Sequence, residues 1–90
     1  MDTQSIVAQI VARVGNTAFS AWRIGITHTP KKRRGEHDAD GEDTRSWTEW
    51  QANSLSDAQA IESYFINKKG MKGGTGGDMD AKYVTHVYVF

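Results

Sequence analysis

The chain has 90 residues, 38% hydrophobic and 24% charged, which fits one small domain whose core comes from a few aromatic and branched side chains. Eleven Lys and Arg balance eleven Asp and Glu, so affinity for nucleic acid has to come from local clustering and not from net charge. The absence of cysteine excludes a disulfide framework and Cys-ligated zinc. No apolar run approaches the ~20 residues that span a bilayer, and no basic leader follows Met1-Asp2. The expectation is a soluble cytoplasmic protein without a membrane partner.

Residues 3–14 place Ile6, Val7, Ile10, Val11 and Val14 on one stripe at helical period. Asp2 or Thr3 can cap the start, and Gly15-Asn16 can stop it. All five stripe residues are β-branched, so packing must hold the helix, and a buried strand through 6–11 is the competing reading. Residues 19–27 read as a strand, with Trp22, Ile24 and Ile26 alternating with Arg23, Gly25 and Thr27. A glycine inside a strand weakens it and often marks close approach by another group, which singles out Gly25. Thr29-Pro30 then opens a short helix, Thr29 as cap and Pro30 in the first position, carrying residues 31–37.

Residues 36–46 hold Glu36, Asp38, Asp40, Glu42 and Asp43 and read as a solvated acidic loop. Residues 46–52 alternate again, Trp47, Glu49 and Gln51 against Thr48, Trp50 and Ala52, a short strand with an aromatic on each face. Leu55-Ser56-Asp57 opens the clearest helix, with a capping box of Ser56 and Gln59 and a buried stripe of Ala58, Ile61 and Phe65. Lys68-Lys69-Gly70 closes it. Residues 70–81 form a Gly-rich connection, and residues 82–90 a strand of high β propensity. The order helix, strand, short helix, strand, helix, strand fits an α+β sandwich, one small three-stranded sheet covered by helices.

Three features invite chemistry. Lys31, Lys32, Arg33 and Arg34 cannot share a helical face, so they are either a solvated helix end or a source of one guanidinium clamp for an anion, with His37 one turn after Arg33. Glu62 falls on or beside the buried stripe. A carboxylate there either reaches solvent at the margin or serves as an oxygen ligand for a hard divalent cation. The run Gly73-Gly74-Thr75-Gly76-Gly77 after Lys72 reads as a flexible connection, because its spacing does not match a phosphate-binding loop. His28, His37 and His86 show no paired spacing for zinc.

Ile24-Gly25-Ile26-Thr27, then Pro30-Lys31-Lys32-Arg33, then His37, resembles the second half of the GIY-YIG nuclease signature. In that family a Y-I-G strand leads into a helix bearing an active-site Arg and a His one turn on. A later A-x-x-x-E helix, here similar at Ala58 to Glu62, supplies a Glu for a divalent metal. The resemblance covers residues 22–66. It implies a three-stranded antiparallel sheet flanked by helices, Arg33 as the phosphate-stabilising Arg, His37 as the supporting His, and Glu62 as ligand to Mg²⁺ or Mn²⁺. DNA is then the partner, met by Thr27, Lys31, Lys32, Arg33 and Arg34.

Arg23 stands where the second signature Tyr is expected, and no G-I-Y strand precedes. His86-Val87-Tyr88-Val89-Phe90 resembles that strand at the other end of the chain. Set beside residues 19–27, it brings Tyr88 or Tyr83 to the vacant place of the catalytic base, in a permuted sheet. The expected function is nucleic-acid binding, extending to metal-dependent phosphodiester cleavage. The alternative is an inactive relative of the same fold that works as a protein-interaction module. An edge strand at 82–90 would also offer pairing with a second copy, a homodimer.

Overall fold

A computed structural model of the chain describes residues 1–73 and 82–90. Asp2 caps the first helix, its carboxylate accepting a hydrogen bond from the Ser5 amide at 2.7 Å. Helix α1 then runs Thr3–Val14 and stops at Gly15, whose φ of +56° favours a residue without a side chain. Ile6, Ile10 and Val14 are buried whereas Val11 is exposed, so the buried stripe is narrower than the five residues expected.

The strand expected over 19–27 forms only at Ile24–Thr27 (β1); Phe19–Ala21 is instead a single 3₁₀ turn. Packing at the end of α1 explains the difference. The Phe19 ring stacks on Phe65 at 6.1 Å, and the Trp22 indole donates to Thr17 Oγ1 at 2.8 Å, wrapping residues 17–22 into a turn.

Helix α2 spans Pro30–Ala39, two residues beyond the expected end, with Pro30 at its first turn. Thr29 precedes it without a side-chain cap; the amide of Thr29 donates to Thr27 Oγ1 at 3.0 Å. Strand β2 is Thr48–Gln51, and helix α3 is Leu55–Asn67. The cap of α3 is Ser54, accepting from the Asp57 amide at 3.1 Å, in place of the expected Ser56 and Gln59 pair. Ser54 has the extended backbone a cap requires, whereas Ser56 already lies inside the first turn. Strand β3 is His86–Val89, shorter than the segment 82–90.

The three strands form one antiparallel sheet in the order β1-β3-β2. The fold is therefore small α+β, one three-stranded antiparallel sheet with helices. Val87 and Val89 join Ile24 and Trp50 in a core shared with Ile6 and Ile10 of α1 and Ala58, Ile61 and Phe65 of α3. Tyr88 alternates with these valines, opposite Gly25 on β1 and Glu49 on β2. The C-terminal strand is thus the centre of the sheet, bonded on both sides. The free edge expected there for pairing with a second copy is already taken within the chain. Strands β1 and β2 are the outer ones, and β1 is partly covered by a parallel bridge between Arg23 and Lys72.

Of the Gly-rich run, Gly74, Thr75, Gly76 and Gly77 lie outside the described residues. Among the described residues no helix is long and apolar enough to cross a membrane.

Candidate functional site

The site is built on the cross-strand pair of Gly25 and Tyr88. A side chain at position 25 would overlap the Tyr88 hydroxyl and ring, its Cβ lying 2.8 Å from Cε2 and closer still to Cζ. The absence of a Cβ lets the phenol lie across the β1 backbone, the close approach that a glycine inside a strand signals. Tyr88 is 3% exposed, with Trp47 stacked against its ring at 4.3 Å and an interplanar angle of 9°. Phe90 stacks on Trp47 at 5.4 Å and packs against His37 at 4.8 Å, completing an aromatic cover.

Helix α2 brings two side chains to the phenol oxygen. Arg33 and His37 are one turn apart and share a face. The Arg33 Nε–H donates to Tyr88 Oη at 3.4 Å, and His37 Nε2 lies 3.0 Å from the same oxygen. Burial pushes the Tyr88 phenol above its usual 10, partly opposed by the hydrogen bond from Arg33. The same contact raises Arg33 further above its ordinary value. Tyr83 does not take this role: it is 55% exposed and packs on His28.

Of the acidic stretch expected as a solvated loop, residues 36–39 belong to α2, and Glu36, Asp38, Asp40 and Asp43 are exposed as expected; Glu42 and Thr44 turn inward. Glu42 turns back, placing Oε1 3.2 Å from His37 Nδ1 and Oε2 3.2 Å from Arg23 Nε. Thr44 is buried, its hydroxyl donating to Asp38 and its carbonyl accepting from Arg34 at 3.1 Å. Glu42 turns inward because the Arg23 guanidinium and the His37 imidazole each meet one of its oxygens. A cleft of about 600 Å³ opens beside the site, lined by Trp22, Arg23, Glu42, Lys72 and Phe90 among others.

Glu62 is 5% exposed on the buried side of α3, with no hydrogen-bond partner among the described residues. Burial pushes its carboxyl up to about 7, and its charge opposes ionisation of Tyr88. Among the described residues no three His, Asp or Glu side chains cluster as a metal cage. A single carboxylate suits Mg²⁺ or Mn²⁺ held otherwise by water and substrate oxygens.

The structure thus brings together Arg33, His37 and Tyr88. It leaves Lys31 and Lys32 exposed, engages Arg34 with the Thr44 carbonyl, and buries Thr27, whose hydroxyl accepts from Thr29. Glu42 and Trp47 are members that the sequence did not single out, and Arg23 stood out only as the residue in place of the expected Tyr. Trp47 carried a signal, since strand alternation sets it opposite Trp50; Glu42 carried none beyond its charge. No protein-family model, curated protein or solved structure matches the chain.

Proposed function

We propose that this site binds nucleic acid and hydrolyses its phosphodiester bonds, in the manner of a GIY-YIG-like domain whose C-terminal strand takes the place of the usual first strand. The convergence of Arg33 and His37 on the Tyr88 hydroxyl carries this reading. Tyr88 is the group that takes a proton from attacking water. Arg33 offsets the negative charge that builds on phosphorus oxygens, a task for which a guanidinium is well shaped. Exposed Lys31 and Lys32 extend the positive surface along α2 for neighbouring phosphates.

Glu62 is the residue that would hold Mg²⁺ or Mn²⁺, because a buried carboxylate with no hydrogen-bond partner among the described residues gains from a nearby cation. A bound divalent ion supplies charge neutralisation at the phosphate and a more acidic water.

The test is conversion of supercoiled plasmid to nicked circles in Mg²⁺, for the wild type and for Glu62→Ala. Nicking that needs both the metal and Glu62 supports the reading. A second reading is a non-catalytic protein-interaction module, favoured by the near-complete burial of Tyr88 and His37. It is supported by a wild type that neither nicks nor binds DNA with the salt dependence that phosphate contacts impose.

A further inference from the structure

A phenol held above its usual range keeps its proton at neutral pH, so it can accept one from water only by passing its own to a neighbour in the same step. Tyr88 Oη has two hydrogen-bond partners among the described residues. Arg33 has no acceptor to offer, which leaves His37 Nε2. For Nε2 to accept, its lone pair must face the phenol, and the neutral ring must carry its proton on Nδ1.

Glu42 sits at that nitrogen. An ionised carboxylate can only accept, so the 3.2 Å contact between Glu42 Oε1 and His37 Nδ1 selects the Nδ1–H tautomer. The second Glu42 oxygen is held by Arg23 at 3.2 Å, and the Glu42 side chain keeps a third of its surface exposed. The hydrogen bonds then run in one direction, Tyr88 O–H to His37 Nε2 and His37 Nδ1–H to Glu42, with Arg33 donating to the phenol oxygen. The arrangement repeats the logic of a nucleophile, base and orienting acid, with a phenol in first place.

We propose that Glu42 is a positioning residue of this site, fixing His37 in the tautomer that takes the Tyr88 proton, and that Arg23 holds Glu42 in place. The catalytic use of this relay rests on the reading of Tyr88 given above. As water attacks phosphorus, its proton passes to Tyr88 Oη while the phenol proton passes to His37 Nε2. The new P–O bond forms as the bond to the leaving oxygen breaks. That oxygen takes a proton from solvent, and His37 afterwards returns its extra proton to solvent, so the residues end as they began. Glu42 stabilises the imidazolium in between. Arg23, which stands where the family pattern has a tyrosine, is accounted for by this role.

The test combines long-range ¹H–¹⁵N NMR of the His37 ring with nicking kinetics, on the full chain. In the wild type at a pH where His37 is neutral, Nδ1 is expected to be protonated; an Nε2–H tautomer overturns the proposal. In Glu42→Ala the ring is expected to lose that single tautomer, and kcat for nicking to fall about tenfold or more with KM held. An unchanged tautomer in Glu42→Ala overturns the proposal whatever the rate does. Arg23→Gln, which removes the ion pair on the far Glu42 oxygen while keeping both the Glu42 and His37 side chains, is expected to loosen their contact and give a smaller shift in the same direction; no shift removes Arg23 from the relay. A wild type that does not nick, yet whose His37 tautomer depends on Glu42, sinks the phosphodiesterase reading and leaves the relay supported.

Discussion

The ring of Tyr88 lies across the backbone of Gly25, its partner on the neighbouring strand, with no room for a methyl group between them. Trp47 stacks on Tyr88 at 4.3 Å, so a shift of the phenol disturbs that contact as well. Gly25→Ala is therefore expected to destabilise the fold by about 1–3 kcal/mol, as overpacking of a tight site does. It also lifts the hydroxyl away from Arg33 and His37. Urea denaturation checks the first effect, and loss of the Tyr88–His37 hydrogen bond by NMR checks the second.

Tyr88→Phe keeps the ring and removes only the oxygen. His37 Nε2 then loses its buried partner, and the expected cost is about 1–2 kcal/mol, a drop in Tm of roughly 4–16 °C for a domain of this size. On the hydrolytic reading, plasmid nicking falls by about 10² or more in the same variant. Melting and nicking assays on one preparation separate the two effects, since a purely structural hydroxyl gives the stability loss alone.

Glu62 imposes a pH dependence whose sign follows from its burial. The folded carboxyl keeps its proton up to about pH 7, while the unfolded chain releases it near the ordinary 4.5. Between these values the unfolded state binds fewer protons than the folded one, so stability falls as pH rises and levels off above 7. The contribution is bounded by about 3 kcal/mol and falls below that bound as solvent screens the carboxylate. Glu62→Gln is expected to match the wild type near pH 4 and to exceed it near pH 8 in denaturant melts. Millimolar Mg²⁺ at the higher pH should narrow that gap by stabilising the wild type alone.

The capping of α3 separates two serines. Ser54→Ala removes the acceptor for the Asp57 amide and is expected to cost about 1 kcal/mol. Ser56→Ala, inside the first turn, should be neutral or slightly stabilising because alanine favours helix. Thermal melts of the two variants check the assignment.

Much of this architecture follows from local patterns. The helical period over residues 3–14, the Thr29-Pro30 start of α2 and the buried stripe of Ala58, Ile61 and Phe65 each depend on neighbours within one or two turns. Strand alternation likewise set Trp47 opposite Trp50. The cap of α3 was misplaced by two residues on local grounds, but the larger misses share one cause, dependence on distant partners. Phe19 turns because Phe65 is there to receive it, and Glu42 folds inward because Arg23 and His37 flank its landing place. The central position of β3 was equally hidden, since strands joined by long connections carry no hairpin turn to announce their pairing. Within the candidate site, Arg33 and His37 were legible from helical spacing and Tyr88 from the family likeness. The carboxylate that orients His37 was not, because a loop residue has no periodicity to place it.

Strands β1 and β2 never meet; each is hydrogen-bonded to β3, which lies between them. During synthesis Thr27 emerges ~60 residues before His86, a lag of several seconds at about 5–20 residues per second. For that interval β1 has no strand partner, and Gly25 has no ring to cover it. Strand β3 then delivers the sheet's middle, the phenol and much of the aromatic cover in one event. A chain interrupted before residue 86 lacks the strand that joins β1 to β2, and with it the Tyr88 ring that packs on Gly25.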